Sequence, residues 1–125
     1  MAHAATESEL AWIAERSGAW LSPKARGIIA FDASGIRGGV ALDNWTRNSA
    51  HVHIALDTPI AARSLRPALE RYVRQLGLGV LLGVIQADNA KSIRLAEHFG
   101  FEQAYRLRDG WDEGRDLLFF EWRKR

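Results

Sequence analysis

At 125 residues the chain has room for one domain, 1–125, with a core of modest size. Its 47% hydrophobic and 26% charged residues are ordinary for a globular protein, and a formal net charge of +2, carried mostly on arginine, suits an anionic ligand without demanding nucleic acid. The absence of cysteine excludes a disulfide framework, a cysteine zinc site and a thiol nucleophile. Residues 1–9 show neither the basic region nor the apolar run of a signal peptide. No apolar run reaches the roughly 18 residues of a membrane span. The cytoplasm is therefore the expected address, with no membrane partner.

The elements follow in quick succession. Thr6 with Glu9 three residues later fits a capping box, Leu10, Ile13, Ala14 and Ser17 share one helical face, and Gly18 is a plausible stop. A hairpin is expected next, with strands Gly27–Phe31 and Gly39–Trp45 around the turn Asp32-Ala33-Ser34-Gly35. After a turn at 46–49, the run from His51 to Asp57 alternates strictly: Val52, Ile54 and Leu56 on one face, His51, His53, Ala55 and Asp57 on the other.

The period then changes. Leu65, Leu69, Tyr72, Val73 and Leu76 follow helical spacing, which predicts a helix capped by Ser64, with Pro67 in its first turn and Gly77 as its stop. Val80–Ile85 is continuously apolar and reads as a strand buried on both faces. Asp88 or Asn89 caps another helix whose inner side is Ser92, Leu95, Ala96 and Phe99, ended by Gly100. Strands Ala104–Arg108 and Leu117–Trp122 flank a turn containing Gly110 and Gly114. Early strands joined by short turns pair antiparallel, while the strand–helix–strand crossover after them should be parallel and right-handed. The fold class is therefore α/β with a mixed sheet. Ligands in such sheets favour the carboxyl ends of strands near a break in strand order. That points to the end of the His51–Asp57 strand and to a loop Thr58–Arg66.

The block from Val84-Ile85-Gln86-Ala87-Asp88-Asn89 through Ser92-Ile93-Arg94-Leu95 to Phe99-Gly100-Phe101 resembles the signature of the GNAT acetyltransferases: a strand, then Asn, then a helix with Ser and Leu, then Gly-Phe. The tail, with Arg108-Asp109-Gly110, Gly114, Asp116 and Glu121, is similar to the family's closing hairpin. The resemblance covers about three-fifths of the 125 residues. The segment Asn44-Trp45-Thr46 leading into His51-Val52-His53-Ile54-Ala55 also resembles small phage-encoded members.

The resemblance implies a GNAT-like mixed sheet with flanking helices and a splayed parallel strand pair, His51–Asp57 and Val80–Ile85. Acetyl-CoA would lie in the notch as co-substrate. Main-chain groups near Ala55 and Leu56 would pair with its pantetheine, and the loop Arg63-Ser64-Leu65-Arg66 would bind its pyrophosphate, as helix N-termini suit anions. An amine, on a small molecule or a protein, would attack the thioester directly, with a base taking its proton.

The chain departs from the family in two places. The pyrophosphate loop, usually glycine-rich, here reads Ala61-Ala62-Arg63-Ser64-Leu65-Arg66, so Arg63 and Arg66 would have to compensate by direct phosphate contacts. Ala96 stands where many members carry an acidic Tyr, leaving water, the thiolate's own low basicity, or help from Ser92 to complete departure. The shortened N-terminal half leaves an acceptor site that is open or completed by a second subunit, as in a homodimer.

Each candidate also has an ordinary explanation. Asn89 is a good helix cap whether or not it touches a cofactor. Ser92 is a tolerated small residue or a cofactor contact. His51 and His53 lack a nearby third ligand, so a metal pair is disfavoured, and they are either sheet-surface residues or a base. His53, nearer mid-strand, is the favoured base, ahead of Asp57. Two further readings remain open: a catalytically silent CoA- or protein-binding module on the same fold, and a phage-type protein that modifies nucleic-acid bases.

Overall fold

The computed structural model describes residues 1–124. It resolves into two compact units, one spanning Met1–Gly79 and one beginning at Val80. No helix among the described residues is long and apolar enough to cross a membrane.

The first unit runs β1 (Ala2–Ala4), α1 (Glu7–Ser17), β2 (Arg26–Asp32), β3 (Gly35–Asp43), β4 (Ser49–Leu56) and α2 (Ile60–Gln75). Its four strands pair antiparallel in chain order. α1 starts where the capping box predicts: Thr6 Oγ1 accepts from the Glu9 N–H, and Glu9 Oε1 accepts from the Thr6 N–H. It ends on Gly18, whose φ of 71° is the left-handed conformation that glycine adopts without a Cβ penalty. Ile13, fully buried, packs with Ile29, Ala41 and Ala55. α1 therefore covers the sheet face to which His53 belongs, since Ala41 is its cross-strand partner and Ala55 lies two residues on.

α2 lies nearest β2 and β3, and one close approach is built on glycine. A Cβ at Gly38 would come within 2.7 Å of Leu56 Cδ2 and 3.2 Å of Ala61 Cβ. Glycine there seats the first turn of α2 against the β3–β4 ladder.

The second unit comprises β5 (Val80–Gln86), α3 (Ala90–His98), β6 (Glu102–Asp112) and β7 (Arg115–Arg123), with β7 paired antiparallel to both β5 and β6. The buried side chains Phe99 and Phe101 bracket Gly100 at the end of α3.

Several boundaries differ from expectation. β1 carries no alternation the sequence could advertise, and it is held by pairing with β2. β3 ends at Asp43, because Asn44 turns left-handed with φ 52°. α2 begins four residues before Ser64, capped in position by Pro59, so Ser64 is an exposed helical residue and not the cap. Pro67 consequently sits inside the helix, where its missing N–H leaves one main-chain bond unmade. β5 is not buried on both faces: Leu81 is buried, whereas Val84 is 43% exposed. Gly110 lies within β6, and the hairpin turn is at Glu113-Gly114.

Candidate active site

In the first unit, chemistry gathers on the face of β4 beneath α1. His51 and His53 stand on this face with Ala55, Asp57 follows just past the end of the strand, and the register with β3 sets Asp43 opposite His51 and Ala41 opposite His53. Asp43 is thus a diagonal neighbour of His53 on the same face, a relation that brings Cα atoms to about 7–8 Å.

Asp43 is 2% exposed and is the buried charged side chain of the described core. Ser22 donates to it twice, from its N–H and from Oγ, each at 2.6 Å. Burial alone would raise its pKa, but the Ser22 bonds, the Asn44 N–H and the nearby His53 outweigh that and hold the carboxyl below its usual value. The loop carrying Ser22 is tied down again where Trp45 Nε1 donates to the Lys24 carbonyl at 3.1 Å.

His53 is half-buried. Burial pushes its pKa below the ordinary imidazole value, positive charge on His51 pushes the same way, and Asp43 opposes both. The imidazole is therefore neutral at neutral pH, the form that accepts a proton. Asp57, the other expected base, is occupied: Arg16 Nε from α1 donates to its Oδ1 at 3.2 Å, and the same guanidinium stacks 4.1 Å above the Trp12 ring. Among the described residues no group of three His, Asp or Glu side chains is placed to hold a metal ion.

The main chain of β4 adds a second feature. The Asp57 N–H donates to the Arg37 carbonyl at 2.8 Å. Hydrogen-bonded pairs alternate along an antiparallel ladder, so Ala55 and His53 face their β3 partners, while the N–H and C=O groups of Ile54 and Leu56 point away from β3. Of the two residues expected to offer main chain to a ligand, Leu56 turns its N–H and C=O away from β3 and Ala55 turns its own toward β3.

The segment after β4 is shorter than expected. Thr58 and Pro59 lead directly into α2, so Arg63, Ser64, Leu65 and Arg66 are helical and do not form a loop. Leu65 is fully buried, so its side chain belongs to the core and not to a ligand surface. Arg66 Nε donates to Glu70 Oε1 at 3.3 Å across one turn. Arg63 is exposed in the first turn and makes no ion pair among the described residues. The opening amides of the helix already have acceptors: Ile60 N–H bonds to Thr58 Oγ1, Ala61 N–H to the Thr58 carbonyl and Ala62 N–H to the Pro59 carbonyl.

In the second unit Asn89 caps α3, its Oδ1 accepting from the Ser92 N–H at 3.1 Å. Ser92 is half-buried in the first turn, and Ala96 is buried one turn on. Asn89→Ala is expected to cost about 1 kcal/mol of stability and Asn89→Asp almost none, read from thermal melts. An aspartate variant that melts normally but binds acetyl-CoA poorly would add a ligand contact to the cap.

Asp43, Ser22 and Arg16 were not indicated by the sequence. Asp43 closes an apolar strand and carries no local mark of importance; only the hairpin register and the Ser22 bonds reveal its position.

No protein-family model matches the chain, and no curated protein matches it. Solved structures do. A spermidine N-acetyltransferase mutant from Vibrio cholerae is 17% identical with a TM-score of 0.76, covering 98% of this chain and 94% of that one. A putative acetyltransferase from Salmonella typhimurium, solved with its cofactor acetyl-CoA, is 20% identical with a TM-score of 0.68, covering 95% of this chain and 73% of that one. A putative phosphinothricin N-acetyltransferase is 17% identical with a TM-score of 0.75, covering 100% of this chain and 98% of that one. Likeness that runs from the capping box of α1 through the closing β6–β7 hairpin, over so nearly the whole chain, establishes the architecture: the chain has the mixed α/β fold of the GNAT N-acetyltransferases.

Proposed function

We propose that the protein transfers an acetyl group from acetyl-CoA to an amine by direct attack, with His53 as the base. The observation that carries this is the half-buried imidazole on β4, its pKa held below the ordinary value by burial, in a chain whose fold matches N-acetyltransferases across its length. The amine nitrogen attacks the thioester carbonyl carbon, the ammonium proton passes to the free nitrogen of His53, and the C–S bond of the tetrahedral intermediate breaks to release CoA. A thiol of pKa about 8.5 leaves readily as thiolate, so no phenol is required where Ala96 stands. Main-chain groups of Leu56 would pair with pantetheine, and Arg63 would meet the pyrophosphate.

Arg63 is the phosphate ligand of choice because Arg66 is engaged with Glu70. Arg63→Ala is therefore expected to weaken CoA by roughly tenfold or more and pantetheine hardly at all, by calorimetry, while Arg66→Ala changes both only slightly. Equal losses for CoA and pantetheine in Arg63→Ala would remove the phosphate contact.

The occupied amides at the start of α2 favour a second reading, a catalytically silent CoA- or protein-binding module. Release of free CoA thiol from acetyl-CoA across a panel of primary amines, small molecules and peptides, decides between them. Binding without turnover of any amine would leave the silent module.

A further inference from the structure

We infer that Asp43, clamped by Ser22, is a positioning residue for His53: its buried carboxylate lies on the same sheet face as the imidazole and stabilises the imidazolium formed when His53 takes the proton of the attacking amine. The inference rests on His53 acting as the base and assigns a carboxylate that the proposed reaction does not otherwise use.

The geometry carries it. A buried carboxylate costs free energy unless it is well hydrogen-bonded, and Asp43 achieves that with two 2.6 Å bonds from one residue of a neighbouring loop. Those bonds hold the anion, and they hold it where β3 and β4 set His51 directly opposite and His53 diagonally opposite. The other charges on this face are engaged elsewhere, and Arg37 of β3, opposite Asp57, is paired with Asp32. From β4, His51 is cationic when protonated and therefore opposes a second positive charge on His53, while Asp57 is tied to Arg16 of α1. Glu9 of α1 is turned toward Thr6 and His3. Asp43 is thus the anion left to offset burial and His51, and in a half-buried setting its field is weakly screened. Without it, burial and His51 would lower the His53 pKa further.

The test is a titration of His53 ring signals by NMR in the free protein, assigned with His53→Gln, alongside the pH–rate profile. Asp43→Asn keeps shape and removes the charge. Asp43→Ser, a small neutral acceptor for Ser22, keeps the test open if the amide fits poorly. Both variants are expected to lower the His53 midpoint by roughly half to one pH unit. His51→Gln is expected to raise it. The acidic limb of kcat should follow the midpoint downward in the Asp43 variants, with KM for acetyl-CoA unchanged. A His53 midpoint that stays put in the folded neutral variants overturns the assignment. If the midpoint falls while the acidic limb does not move, Asp43 acts on His53 as inferred, and it is the base role of His53 that fails.

Discussion

His53→Gln is expected to lower acetyl transfer by about two orders of magnitude while leaving acetyl-CoA affinity within twofold of the parent. The reasoning is one of placement and protonation. His53 stands on β4 beneath α1, half-buried, and burial together with His51 holds its pKa below the ordinary imidazole value. At neutral pH it carries no proton and can accept one. Since the base works only when neutral, the acidic limb of the pH–rate profile should lie below the ordinary imidazole pKa of about 6.5, and it should vanish in the variant. Stability follows the same sign. A group whose folded pKa is depressed gives up stability as pH falls from its unfolded value toward its folded one. The parent should therefore lose stability below about pH 6.5 in a step that His53→Gln lacks. A variant that keeps both rate and acidic limb would move the base elsewhere, and Asp57, held by Arg16, would need that ion pair to open first.

The parts of this site that were legible in the sequence are those written in local pattern. The strict alternation of 51–57 declared a strand with His51, His53 and Asp57 on one face, and that face is the one beneath α1. The Thr6–Glu9 pair declared the helix start, because a capping box is a matter of four consecutive residues. The Asn89–Phe101 block carried the family resemblance, and the fold agrees with it. Illegible parts depend on partners distant in sequence. Asp43 is unremarkable until the register with β4 and the bonds from Ser22, 21 residues earlier, are known. β1 exists by pairing with β2. The start of α2 is hidden in the sequence because Ser64 and Pro67 together imitate a helix beginning, whereas Pro59 and the Thr58 hydroxyl supply the real one.

The true start of α2 has a measurable consequence at Leu65. A residue in a phosphate-binding loop could be truncated at little structural cost and a clear binding cost. Leu65 is instead in the sixth position of α2 and fully buried, on the same helical stripe as Ala61, Ala62, Leu69 and Val73. Truncating it removes transfer free energy and leaves a cavity that the neighbouring backbone cannot close, since Gly38 already brings the start of α2 against the β3–β4 ladder as tightly as side chains allow. Leu65→Ala is accordingly expected to cost about 2–5 kcal/mol in urea unfolding, a lower midpoint at unchanged slope. At a temperature where the variant remains folded, its affinity for CoA should match the parent. The contrast with Arg63→Ala is the decisive comparison, because the two residues are two positions apart on one helix. Arg63, exposed in the first turn, should change CoA affinity and leave the unfolding midpoint in place; Leu65 should do the reverse. A Leu65→Ala protein of normal stability that binds CoA weakly would return this segment to a ligand-binding loop and displace α2 from the start assigned to it.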